Sequence, residues 1–233
     1  MVDLHTHLLF DIDDGPESID VSKKMLTAMN SIGVSTAVCT PHFDFTNISP
    51  EQFVEIRNDR IKALIPFADK ENIKLVKGCE LRLTKRILNL NSIDDFCIGD
   101  TRNVLIEMPF DKEWDKSVFE LLINFIDYFN VTPIIAHVER YFPVIKDINV
   151  AEKLFDIGAV MQLDASSLFE KMYTKTAKKL LKKQLIAVVA SDCHNVSLRS
   201  PGVLAKAYDE IDKICKNGAV EYIKNFAQKI VTE

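Results

Sequence analysis

With 233 residues, 47% of them hydrophobic, the chain can bury one sizeable core, and 7 glycines and 8 prolines argue against a linker-rich or low-complexity protein. A net charge of −5 argues against a nucleic-acid binder; the nearest basic cluster, Lys178-Lys179 with Lys182-Lys183, reads as the solvated face of one helix. Five cysteines, an odd number with no C-x-x-C pair, fit a reducing compartment, and neither a signal peptide nor an apolar run approaching the ~20 residues of a spanning helix is visible, so the expectation is a cytoplasmic protein that is not membrane-embedded.

Short β-branched runs alternate with helix-patterned stretches, the βαβα signature of a parallel sheet or barrel. A strand over residues 2–5 precedes a helix over about 18–32, with Ser18 placed to cap its start and Gly33 its end. A strand over 34–40 stops at Pro41, and a helix over about 50–68 follows, its end expected to be disturbed by Pro66. Next come a strand over about 73–80, an irregular piece over 89–102, a strand over 103–107 and a helix over about 116–129. Strands over 132–137, 159–163 and 185–191 alternate with helices over 151–157 and about 174–183, and helices over about 202–216 and 219–231 finish the chain. Seven strands close most simply as a single-domain β/α barrel over residues 1–233, with an open doubly wound sheet as the rival.

The chemistry concentrates at the C-terminal ends of these strands. They end in His5-Thr6-His7, Thr40-Pro41-His42, Cys79-Glu80, Ile106-Glu107, Ala136-His137 and Ser191-Asp192-Cys193-His194; only the sixth, Gln162-Leu163-Asp164, lacks a histidine or glutamate. In a β/α barrel these ends converge on one face. Residues two apart point to one side of a strand, so His5 with His7, and Asp192 with His194, can aim inward while Cys193 packs away as a thiol. Taken singly, an H-x-H pair or a strand-end glutamate is weak evidence, since most such residues are solvated. Jointly, all five histidines of the chain sit at strand ends, and a buried cluster of carboxylates needs cations. Seven or eight candidate ligands exceed the three or four of one zinc site, which implies two or three ions. An imidazole–carboxylate set suits Mn, Fe or Zn, and closely spaced ions suit phosphoester hydrolysis. The loop Asp11-Ile12-Asp13-Asp14-Gly15-Pro16 leaves the first ligand pair, and Asp14, or less favourably Asp13, can complete the cluster. Arg140 and Arg199 follow His137 and His194 closely and match phosphate oxygens bidentately; each alone reads equally well as a surface salt bridge.

The elements Asp3-Leu4-His5-Thr6-His7, Thr40-Pro41-His42, Gly78-Cys79-Glu80, Ile135-Ala136-His137 and Ala190-Ser191-Asp192-Cys193-His194 resemble the polymerase-and-histidinol-phosphatase (PHP) superfamily. Phe10-Asp11-Ile12-Asp13-Asp14-Gly15-Pro16 and His137-Val138-Glu139-Arg140-Tyr141 are similar to its bacterial manganese-dependent protein-tyrosine phosphatases of capsule and exopolysaccharide operons. The resemblance, covering residues 1 to about 202, implies a distorted seven-stranded barrel with a trinuclear metal site. It implies His5, His7, Glu80 and Asp192 on one ion, Glu80, Glu107 and His137 on a second, and Asp14, His42 and His194 on a third. Arg140 and Arg199 would bind phosphate, and a metal-activated hydroxide would hydrolyse phosphotyrosine, with the tyrosine-rich tail of a bacterial tyrosine kinase as partner. The competing readings are a phosphatase for a small metabolite such as histidinol phosphate, a non-catalytic metal-stabilised module, and an amidohydrolase-like enzyme. Phe43, Phe45 and Tyr141 could line a phosphotyrosine pocket, although loop aromatics more often simply pack.

Overall fold

The protein is described by a computed structural model covering every residue except 47, 111, 112, 217 and 233. All seven expected strand runs are present, but a further short strand follows the second beyond Pro41, and the third is interrupted before Glu80, where a strand resumes and runs to Arg82. In chain order the strands are β1 (Val2–Thr6), β2 (Thr36–Cys39), β3 (His42–Phe43), β4 (Lys74–Lys77), β5 (Glu80–Arg82), β6 (Asn103–Glu107), β7 (Thr132–Ile135), β8 (Val160–Asp164) and β9 (Val188–Ala190). They form a three-stranded sheet, β1-β2-β4, and a six-stranded sheet, β3-β5-β6-β7-β8-β9, and every pairing is parallel.

The breaks have physical causes. Pro41 has no N–H to continue a ladder between β2 and β3. Gly78, between β4 and β5, passes so close to β2 that a Cβ there would meet Val38 Cγ1 at 2.8 Å. The fully buried Arg57 satisfies the backbone freed by this second bend, donating to the carbonyls of Gly78, at 3.2 Å, and Asp95. Where β4 and β6 diverge, the intervening chain fills the gap: Gly99 N–H donates to Lys77 O and Ile98 N–H to Asn103 O, both at 2.8 Å. The ring returns from β9 to β1 through one parallel bridge, Thr6 to Cys193, flanked by His7 N–H to Cys193 O at 2.9 Å and Asp192 N–H to His5 O at 3.0 Å. The result is a distorted parallel barrel.

Helices α1 (Ile19–Ser31), α2 (Pro50–Lys70), α3 (Lys116–Phe129), α4 (Phe142–Ile145), α5 (Asn149–Asp156), α6 (Thr174–Lys182), α7 (Val203–Cys215) and α8 (Ala219–Ile230) connect or flank the strands. Their ends follow local chemistry. Ser49 and Gln52 form a reciprocal capping box at the start of α2, with Pro50 in its first turn, and the Asp115 carboxylate caps α3 through Ser117 N–H and Val118 N–H. Ser18 holds the cap position of α1 without a side-chain hydrogen bond, and Gly33 beyond it takes φ +80°. Pro66 does not end α2, which runs on to Lys70. Pro66 and Lys62, whose carbonyl loses its partner, lie on the exposed face, where water can replace the missing hydrogen bond.

One large core cluster packs helices against the outside of the barrel. A smaller cluster draws Val2, Leu4, Val38, Leu105, Ile134 and Val188 from successive strands, and Ala227 and Ile230 of α8 plug it. No described helix is long and apolar enough to cross a membrane.

Candidate metal centre

Every strand of the ring ends on one face, and the breaks turn two of them inward: β3 begins with His42, β5 with Glu80, and the two pair in register. His137 follows β7 with φ 34° and Asp192 follows β9 with φ 49°. Both backbones are left-handed at a residue that bears a side chain, a conformation that persists only where surrounding structure holds it.

Four side-chain atoms gather at the centre. His5 Nε2 and His7 Nε2 are 3.1 Å apart; Glu80 Oε2 lies 3.1 and 3.2 Å from them, and Asp192 Oδ1 lies 3.3 and 3.4 Å away. On one side, Glu80 Oε1 reaches His137 Nε2 at 2.8 Å, Glu80 Oε2 is 3.0 Å from His42 Nδ1, and Glu107 groups with His42 and Glu80. On the other, Asp14 Oδ1 stands 3.1 Å from His194 Nε2 and 3.6 Å from His42 Nε2, with His7 completing a four-residue group. The nine residues singled out as ligands are thus contiguous. His7 and His42 each belong to two groups, which divides them less cleanly than the expected assignment to three ions.

The outer nitrogens of three histidines are occupied. His5 Nδ1–H donates to Gln162 Oε1 at 3.1 Å, His7 Nδ1–H to Asp13 Oδ2 at 2.7 Å, and His194 Nδ1–H to the Asp192 carbonyl at 2.9 Å. Because each partner is an acceptor, these rings carry their proton on Nδ1 and turn the Nε2 lone pair toward the cluster. The Gln162 orientation is fixed independently, since Oε1 also accepts the His137 N–H at 2.7 Å. Asp13 is thereby separated from Asp14: it orients His7 and accepts the N–H groups of Gly15 and His42 at 2.9 and 3.0 Å, whereas Asp14 faces the cluster.

The donor set fits divalent cations. Adjacent ligand atoms of an ion with bonds of about 2.0–2.2 Å and near-right angles stand ~3 Å apart, close to the spacing of the central atoms. Asp192 Oδ1 and His194 Nε2 are buried yet make no hydrogen bond, an orphaning that a cation relieves. Burial opposes charge on Glu80 and Asp192, but the imidazoles around them hold both carboxyls well below the usual range. Burial likewise opposes charge on His5 and His7, and the carboxylates nonetheless raise both. Protons thus compete for the nitrogens that a metal would take.

Two arginines close the outer edge. Arg140 Nη1 and Arg199 Nη2 meet at Asp192 Oδ2, at 3.1 and 2.7 Å, and Arg140 also pairs with Asp164. The sixth strand, which seemed to bring no ligand, supplies the supports Gln162 and Asp164. Beneath them Glu139 is fully buried; burial, then the Asp164 charge, push its carboxyl up to about 8, and Ser167 Oγ donates to it. Phe43 packs into an aromatic cluster with Phe45, Phe53 and Phe96, and Tyr141 is buried with its hydroxyl accepting Met108 N–H at 2.9 Å. An exposed aromatic adjoins the site as well: Phe110, 37% exposed, has its ring 5.4 Å from that of His137, which the buried Tyr141 approaches at 5.6 Å, and 4.5 Å from that of Tyr141. A lone phenylalanine in a loop gave no sequence signal for this placement. Four of the five thiols are fully buried; burial pushes Cys39 up to about 12 and Cys193 well above its usual value.

The fold that carries this cluster has a solved counterpart among metal-dependent phosphatases. Crystal structures of YwqE from Bacillus subtilis and CpsB from Streptococcus pneumoniae, described as unique metal-dependent tyrosine phosphatases, match with TM-score 0.87 and 25% identity over 100% of this chain and 94% of that chain. The family described as capsular polysaccharide synthesis, CpsB/CapC, matches residues 1–231, and the chain belongs to it. The tyrosine-protein phosphatase CpsB of Streptococcus pneumoniae is 30% identical over 228 residues, 91% of this chain and 90% of its own. The tyrosine-protein phosphatase YwqE of Bacillus subtilis is 31% identical over 209 residues, 86% and 80% respectively.

Proposed function

We propose that this protein is a metal-dependent protein-tyrosine phosphatase, a phosphoric monoester hydrolase acting in capsule or exopolysaccharide regulation, with residues 1–233 forming one PHP-type phosphatase domain. The observation that carries it is the shared anchoring of His5, His7 and His194, each with an acceptor at Nδ1 and Nε2 turned inward among carboxylates. The ligand set is His5, His7, Asp14, His42, Glu80, Glu107, His137, Asp192 and His194, and the ions are two or three in number. Oxygen and imidazole donors without thiolate suit Mn²⁺, with Fe or Zn as alternatives. Held there, such ions would lower the pKa of a bound water and neutralise phosphoryl charge.

The chain's own groups do the rest. Arg140 and Arg199 converge on Asp192 Oδ2 beside the cluster, and their guanidinium N–H groups not spent on Asp192 are placed to grip a phosphoryl group and balance the charge on its equatorial oxygens as the ester bond breaks. Asp164 holds Arg140 in place, and Phe110 offers an apolar face to an aryl group beside His137. The buried, protonated thiols are unsuited to cysteine-based phosphoryl transfer. The substrate class is a phosphotyrosine protein, and the tyrosine-rich tail of a bacterial tyrosine kinase in the cytoplasm is the proposed partner.

The test is phosphate release from a phosphotyrosyl peptide by metal-stripped protein, with and without Mn²⁺, beside a phosphoseryl peptide and histidinol phosphate. Mn-dependent turnover of the phosphotyrosyl peptide, lost in His137→Ala and reduced roughly 10²–10³-fold in Arg140→Ala, is the expected result. Turnover of histidinol phosphate alone overturns the tyrosine-phosphatase reading, and no turnover with any metal overturns the enzymatic one.

A further inference from the structure

Beyond the metal-facing residues, the ends of β3 and β5 frame a second feature. A concavity of about 400 Å³ lies among Arg82, Thr84, Lys85 and Arg86 on one side and the 44–46 segment after β3 on the other. In a chain of net charge −5 this gathers three cations around one acid, Asp44. Among the described residues no carboxylate lies within ion-pair distance of Arg82, Lys85 or Arg86. Arg86 is held by the Phe45 carbonyl at 2.9 Å, and Asp44 accepts Thr46 N–H at 2.7 Å. Thr84 Oγ1 is buried there with no hydrogen-bond partner. Three cations with no ion pair among the described residues form a donor set for an anion.

Its position relates it to the metal centre. Arg82 is two residues beyond Glu80 on β5, so both side chains leave the strand on the same face, and Arg82 stands opposite Glu107 in register. The basic concavity therefore begins about 7 Å outward along the strand that brings Glu80 to the cluster. An extended peptide advances about 3.3–3.6 Å per residue. With a phosphotyrosine seated at the centre, a residue about two to four positions along the same peptide reaches the concavity.

We propose that this concavity is an anion subsite that seats a second negative group of the substrate peptide, a carboxylate or a second phosphoryl group, and makes the enzyme selective for acidic or multiply phosphorylated segments. The proposal rests on the phosphatase reading and adds a substrate class to it. Asp44 faces the same space and sets a limit on the charge the subsite carries.

The experiment compares Mn²⁺-loaded wild type with Lys85→Glu and with the double variant Lys85→Ala/Arg86→Ala. Substrates are phosphotyrosyl peptides flanked by glutamine, by glutamate or by a second phosphotyrosine, on either side. Expected is a preference of about tenfold in kcat/KM for the charged peptides at low salt, carried by KM, which both variants lose while hydrolysis of p-nitrophenyl phosphate is unchanged. The glutamate and second-phosphotyrosine arms distinguish the two sources of the anion. Binding of a labelled, non-phosphorylated acidic peptide, measured by anisotropy, separates the two layers of the argument. Failure to hydrolyse any phosphotyrosyl peptide overturns the phosphatase reading; equal affinity of wild type and both variants for the acidic peptide, or an unaltered preference among substrates, overturns the subsite.

Discussion

Gln162→Leu replaces the side-chain amide, oxygen and nitrogen together, by methyl groups with little change in volume. In the wild type that oxygen accepts the His137 N–H at 2.7 Å and the His5 Nδ1–H at 3.1 Å, and Gln162 is fully buried. The variant leaves two buried donors without a partner. At about 1–3 kcal/mol for each of the two stranded donors, offset by about 1–3 kcal/mol for removing the buried, partnerless Gln162 Nε2, the metal-free protein should lose roughly 1–3 kcal/mol net, a noticeable share of the ~5–15 kcal/mol that holds a typical domain together. Without its acceptor, His5 also loses the contact that keeps Nε2 free, so Mn²⁺ affinity should fall roughly 10–100-fold. Urea denaturation of the metal-stripped protein measures the first quantity and calorimetric Mn²⁺ titration the second. Gln162→Glu, which keeps an acceptor at the same place, should retain most of the affinity. A Gln162→Leu protein with wild-type stability and wild-type Mn²⁺ binding would refute the hydrogen-bond accounting and the tautomer assignment together.

Asp13→Ala takes the acceptor from His7 Nδ1 and should weaken Mn²⁺ binding by roughly 10–100-fold while leaving the donor atoms themselves in place; titration calorimetry reads it, and undiminished affinity would restore Asp13 to an incidental loop acid. Iodoacetamide at pH 8 should leave Mn-dependent activity intact and modify at most Cys215, the one thiol that is not fully buried; mass spectrometry after alkylation checks both, and loss of activity with metal retained contradicts the proposal. Phe110→Ala should raise KM for a phosphotyrosyl peptide roughly 3–10-fold without changing inhibition by inorganic phosphate, whereas equal effects on both would mean that the ring supports the phosphate site rather than the aryl group.

The seven strand runs and the ligand candidates were legible because histidine, glutamate and aspartate at strand ends are chemically conspicuous and strand alternation fixes their direction. The supports were not. Gln162 reads as an ordinary strand residue, and its role exists only when the curl of the sheet brings β8 to both His137 and His5. The different placements of Asp13 and Asp14 come from loop geometry: a Cβ on Gly15 would fall 2.6 Å from His7 O, so a glycine lets the loop fold back and put Asp13 behind His7. The broken strands were hidden for a similar reason, since Gly78 shows its close approach to Val38 only once β2 and β4 are side by side. Pro66 misled because the helix-breaking rule does not say which face of the helix meets water.

The two-sheet construction of the ring has a mechanical consequence. His5 and His7 leave β1 in the three-stranded sheet, whereas His42, Glu80 and His137 adjoin strands of the six-stranded one, and Asp192 and His194 follow its last strand. Between β1 and β9 the backbone offers one bridge and two flanking hydrogen bonds. On the proposed ligand set, the ions act as rivets across that joint. Chelation would then do more than switch off hydrolysis: it would let the barrel gape along one line, with the amides of His7 and Asp192, which cross that joint, exchanging with solvent well before those of β6 and β7 on the far side.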